Sequence, residues 1–126
     1  MDDVLVERVT ENKSALSVQL PVAENGKYTG KITLTVNGKE EKEVYLKLSF
    51  ANTAGRIVDV PVSLNDDAKY ATVPFYKTGL TAAKGADTVY IPVLLQKDVN
   101  TVTLDTGENG LYLYTAEIVY KAQNRY

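Results

Sequence analysis

The chain has 126 residues, 44% of them hydrophobic and 24% charged, with 14 Lys plus Arg against 16 Asp plus Glu for a formal net charge of −2. That size and balance fit one folded domain with an ordinary core and exclude a disordered chain. A near-neutral chain without a basic cluster has no footprint for nucleic acid, the longest apolar run (Val89 to Leu95, broken by Pro92) is too short to span a bilayer, and the lack of any Cys or His removes disulfides, thiol nucleophiles and Ser-His-Asp triads.

Apolar residues recur at every second position in segments of roughly six to ten, the period of half-buried strands, with no competing helical period. Val4 to Val9 reads as a first strand. Ala15 to Leu20 sets Leu16, Val18 and Leu20 against Ser17 and Gln19, and Lys31 to Val36 sets Ile32, Leu34 and Val36 against Lys31, Thr33 and Thr35. Glu43 to Phe50 places Val44, Leu46, Leu48 and Phe50 on one face, and Ile57 to Leu64 does the same with Val58, Val60, Val62 and Leu64. Ala71 to Tyr76, Thr88 to Leu95, Thr101 to Asp105 and Leu111 to Tyr120 complete a set of about nine strands.

Turn chemistry separates them. Asn25-Gly26, Asn37-Gly38, Ala54-Gly55, Asn65-Asp66-Asp67 and Asn109-Gly110 all favour or tolerate positive φ. Thr78 to Asp87, with Gly79 and Gly85, reads as a long loop containing at most a helical turn. Parallel strands would need crossover segments that the chain lacks, so the strands are expected to be antiparallel. Pro61 and Pro92 fall inside strand patterns and mark strands that are peripheral or kinked. The reading is an all-β chain, an antiparallel two-sheet β-sandwich of jelly-roll or related topology, or else a closed barrel, formed as a single module over residues 1–126.

Chemistry-bearing residues are few. The carboxylate pairs Asp66-Asp67, Glu40-Glu41 and Asp105 with Glu108 are candidates for glycoside hydrolysis, but all lie in turns beside Lys or Asn, where a solvated role is the simpler reading. No catalytic residue and no metal ligand is assigned. The nine tyrosines are the functional handle, because aromatic faces stack on the C–H surface of a sugar while Asn, Arg and Lys bond its hydroxyls. Tyr45 and Tyr90 fall mid-strand and read as packing residues. Tyr76 with Lys77, and Tyr112 beside Asn109, lie at or next to loops, where binding residues concentrate.

Three signatures in order resemble the carbohydrate-binding modules of families 35 and 6, which are galactose-binding-like β-sandwiches. The first is Tyr45-Leu46-Lys47-Leu48-Ser49-Phe50-Ala51-Asn52, similar to a strand ending in aromatic-Ala-Asn. The second is Val60-Pro61-Val62-Ser63-Leu64-Asn65-Asp66. The third combines Val93-Leu94-Leu95, Asn100-Thr101-Val102-Thr103-Leu104 and the final strand from Leu113 to Val119.

The resemblance implies a ligand site at one end of the sandwich, where the loop after Asn52, the Tyr76 to Asp87 loop and the Thr106 to Tyr112 loop converge. The expected ligand contacts are Asn52, Arg56, Tyr76, Lys77, Asn109 and Tyr112, with Arg56 able to pair with the carboxylate of a uronic acid. Two departures stand out. Such modules usually carry a tryptophan after the Thr-Gly pair, whereas Thr78-Gly79 is followed by Leu80 and the chain has no Trp. Their structural calcium usually uses carboxylates where this chain has Tyr114 and Leu5, leaving Glu7 alone, so no cofactor is expected.

The resulting expectation is a non-catalytic module that binds an oligo- or polysaccharide and is appended to a catalytic domain in a secreted or cell-surface enzyme. The alternative is a structural or adhesion spacer in a bacterial surface protein, with no sugar bound. The opening Met1-Asp2-Asp3-Val4 carries no signal-peptide pattern, which fits a piece cut from a longer extracellular chain. A monomer is expected, with neither a nucleic-acid partner nor a membrane span.

Overall fold

The structure, a computed structural model, describes residues 12–13, 16–23, 26–78, 87–108 and 110–120. These form ten strands: β1 (Asn12–Lys13), β2 (Val18–Gln19), β3 (Lys27–Tyr28), β4 (Lys31–Gly38), β5 (Lys42–Ala51), β6 (Val58–Leu64), β7 (Asp67–Phe75), β8 (Asp87–Leu95), β9 (Asp98–Asp105) and β10 (Leu111–Tyr120). One sheet runs β1-β10-β5-β8, with β3 sharing the outer edge of β10; the other runs β2-β4-β9-β6-β7. Every pairing is antiparallel, so the chain is a two-sheet sandwich and not a closed barrel.

Alternation fixes which face is buried. Along β4, Ile32, Leu34, Val36 and Gly38 are buried while Lys31, Thr33, Thr35 and Asn37 are exposed. The inward sets of β5, β6, β8 and β9 follow the same rule and meet between the sheets. There the rings of Phe50 on β5 and Phe75 on β7 lie 4.7 Å apart at 58°, and each fully buried side chain of this size contributes about 1.5–3 kcal/mol.

Several boundaries differ from the sequence reading. Asn37-Gly38 is no turn: Gly38 is the buried last residue of β4, and a Cβ there would collide with the carbonyl oxygen of Gln96. Space, not positive φ, requires glycine at this position, and the turn falls on the charged residues that follow. Strand β7 starts at Asp67 because Asn65, at φ 52°, closes a two-residue turn that pairs Leu64 with Asp67. Of the segment Ala15 to Leu20, the described residues 16–20 keep only Val18–Gln19 as strand, although Leu16, Val18 and Leu20 pack on the core. Val4 to Val9 and residues 79–86 lie outside the described residues.

Pro61 and Pro92 occupy positions that need no ladder donor. Pro92 sits on β8, an edge strand, and Pro61 lies just beyond the stretch of β6 that pairs with β9, which spans Val62 to Leu64. The edge strands β7 and β8 are joined across the sandwich by the Tyr70 hydroxyl, which donates to the Pro92 carbonyl at 2.9 Å.

Candidate functional site

Strand directions place four connections at one end of the sandwich: β3–β4, β5–β6, β7–β8 and β9–β10. Two buried polar residues organise this end. Asn52 is 0% exposed. Its Nδ2 donates to the carbonyls of Arg56 and Phe75, both at 2.8 Å, and its Oδ1 accepts from the Ala54 N–H at 2.9 Å. Its backbone N–H donates to the Thr78 hydroxyl, and its carbonyl accepts from the Thr78 N–H, each at 3.0 Å. The loop after β5 is thereby tied to the loop after β7.

The second organiser is Thr106. Its hydroxyl lies 2.9 Å from the Tyr28 carbonyl and 2.8 Å from that of Gly30, and its N–H donates to the same Gly30 carbonyl. The Gly30 N–H donates in turn to the Gly107 carbonyl at 2.9 Å. Gly110 completes the junction. At φ +75° it sits where a Cβ would stand 2.5 Å from the Tyr28 oxygen and 2.7 Å from Thr29 Cγ2, so only glycine lets Lys27–Thr29 lie against the β9–β10 turn.

These links leave a groove of about 320 Å³ lined by Lys27, Thr53, Ala54 and Glu108. Lys27 pairs with Tyr112 across β3 and β10, and its Nζ stands 5.7 Å from the centre of the Tyr112 ring. A donor-only ammonium and an acceptor-only carboxylate thus share one groove with the Thr53 side chain, a set that suits a ligand able both to accept and to donate.

The six expected ligand contacts fall into three groups. Tyr112 is half-buried beside the groove under Lys27. Arg56, Lys77 and Tyr76 are exposed at the same end, Tyr76 at 57%, but none is among the groove's described lining residues. Asn52 presents no surface to a ligand: it builds the loop from within, because its amide satisfies backbone groups that would otherwise be buried unpaired. Asn109 lies outside the described residues. Lys27 was not anticipated from sequence, since a two-residue strand has no periodicity, and Thr53 was not because it lies in the irregular loop after β5; the signal available for Lys27 was Gly110, a glycine in a turn next to a strand.

No family model matches the chain, and no curated protein matches it. Solved structures do. The CBM35 from Cellvibrio japonicus Abf62 superposes with a TM-score of 0.61 at 20% identity, over 92% of this chain and 83% of that one. A family 35 carbohydrate-binding module from Clostridium thermocellum gives 0.59 at 14% identity, over 92% of this chain and all of that one. The chain has the family 35 fold. An isomalto-dextranase from Arthrobacter globiformis T6, solved with panose, gives 0.54 at 18% identity over 70% of this chain, which spans only 16% of that protein.

Within the family 35 fold, Tyr114 is the residue at which β10 bulges against β5, between Leu113 and Thr115, and it is partly exposed. Among the described residues no three Asp or Glu side chains cluster as a cation site. Asp105 and Glu108 stand three residues apart on one turn, with Asp105 accepting from the Gly107 N–H at 3.1 Å.

Proposed function

We propose that this chain is a non-catalytic carbohydrate-binding module that holds a sugar at the loop end of the sandwich. The observation that carries the reading is the groove in which Lys27 and Glu108 share walls with Thr53, beside the Tyr112 ring and braced from beneath by Asn52 and Thr106. The family 35 fold supports it. A prebuilt groove loses little ordering free energy on binding, while the small apolar contact without tryptophan keeps affinity modest, about 0.1–1 mM or roughly −4 to −5.5 kcal/mol.

The part-length match to the isomalto-dextranase supports a place beside a catalytic domain in a longer enzyme, where the module would keep that domain near its polymer. A structural calcium is not part of the proposal: Tyr114 stands where the family usually has a carboxylate, and six to eight oxygens are needed. The second reading is a spacer that keeps the fold and binds nothing, and the missing tryptophan favours it.

A glycan-array screen of the chain, followed by titration calorimetry on the hits, separates the two. Binding that is lost in Glu108→Ala with an unchanged melting temperature supports the module. No binding to any glycan at millimolar concentration supports the spacer.

A further inference from the structure

Resting on the sugar-binding reading, we infer that the loop end takes two consecutive units of a neutral sugar chain, with Glu108 between them, and discriminates against uronic acids. A second cavity of about 530 Å³, lined by Thr29, Gly30, Asp105, Gly107 and Glu108, adjoins the groove and shares Glu108 with it. Each cavity falls in the usual range for small-ligand sites, about 300–1,000 Å³. Glu108 lines both, so a sugar unit in either cavity can bond to the same residue.

The second cavity has a fixed frame. The Gly30 N–H bond to the Gly107 carbonyl and the Thr106 bonds to the Gly30 carbonyl clamp its two glycine-bearing turns together. Asp105 is held at one carboxylate oxygen by the Gly107 N–H. The frame therefore does not need to form around the ligand.

Charge sets the class of sugar. Among the described lining residues of both cavities there are two carboxylates, Asp105 and Glu108, and one cation, Lys27, which also faces the Tyr112 ring. A neutral sugar hydroxyl donates to the carboxylates and accepts from the ammonium. The carboxylate of a uronic acid only accepts, so in the second cavity it meets the like charges of Asp105 and Glu108, and among the described lining side chains only the Thr29 hydroxyl can donate to it. Arg56, the residue that sequence offered for a uronic acid, lines neither cavity.

The test is calorimetry with glucose, galactose, mannose and xylose, their homodisaccharides and homotrisaccharides, and glucuronic and galacturonic acids. For the neutral sugar that binds, the disaccharide is expected to bind roughly tenfold more tightly than the monosaccharide, with little gain for the trisaccharide, and the matching uronic acid to bind at least about tenfold more weakly. Thr29→Trp, at an exposed position, should fill the second cavity and reduce the disaccharide to the monosaccharide's affinity. Glu108→Gln should narrow the gap between neutral and acidic sugars. A uronic acid that binds as well as its neutral counterpart, or a disaccharide no better than its monosaccharide, overturns the inference while leaving sugar binding intact. Silence from every probe overturns the parent reading and this one with it.

Discussion

The side-chain amide of Asn52 donates to the carbonyl of Phe75 over 2.8 Å, joining the end of β5 in one sheet to the end of β7 in the other. Asn52 is two residues past Phe50 and the accepting carbonyl belongs to Phe75, so the polar hub continues directly from the two rings that meet in the core. Each explains the other's position: the rings exclude water, and exclusion makes a satisfied amide necessary.

Asn52→Ala would leave the Arg56 and Phe75 carbonyls and the Ala54 N–H without their partner. Unmade buried bonds cost about 1–3 kcal/mol each, partly relieved by water entering at the loop, so a net loss of about 2–4 kcal/mol is expected. Urea melts should show a lower midpoint with an unchanged slope. A loss below about 0.5 kcal/mol would mean that the loop is held by other means.

Phe75→Ala removes the Phe50–Phe75 ring contact between the sheets. A drop of about 3–5 kcal/mol in unfolding free energy is expected, as for other buried phenylalanines. Thermal and chemical unfolding should agree on the value.

Gly38→Ala should destabilise by about 1–3 kcal/mol, because the added methyl meets the Gln96 backbone and the Asn100 amide. The exposed neighbour provides the control: Asn37→Ala should change stability by less than about 0.5 kcal/mol. Equal effects at both positions would refute the crowding at Gly38.

Tyr112 and Tyr76 are expected to part company. Tyr112→Ala frees Lys27 from its ring and should weaken sugar binding by roughly three- to tenfold, at a stability cost of about 1 kcal/mol. Tyr76→Ala, at 57% exposure, should leave the melting temperature unchanged, and any effect on affinity would report an aromatic contact at the rim. Calorimetry of both variants with one ligand makes the comparison.

Incubation with a chelator should leave the melting temperature unchanged to within about a degree. A fall of several degrees, restored by added calcium, would show that oxygen ligands assemble despite Tyr114.

The sandwich was legible wherever the relevant period is local. Ile32, Leu34 and Val36 announce the buried face of β4 without reference to any other segment. What stayed hidden depends on distant partners. Strand β3 exists because Lys27 and Tyr28 find Tyr112 and Leu111 on β10, and two residues carry no period. The pattern ending in Ala51-Asn52 marked an important position but not its direction, which the Phe75 carbonyl sets from 23 residues away. Asp105 and Glu108 were visible as carboxylates in a turn, yet their cavity comes from Thr106 reaching back to Gly30, 76 residues earlier.

The Tyr70 clasp has a consequence for how copies of the protein behave at close quarters. The strands it joins, β7 and β8, are the exposed margins of their sheets, where a second molecule could add a strand. Pro74 and Pro92 interrupt the donor rows of these margins, and the Pro92 carbonyl is already taken by Tyr70. A strand approaching either of these two margins would therefore find its row of partners interrupted.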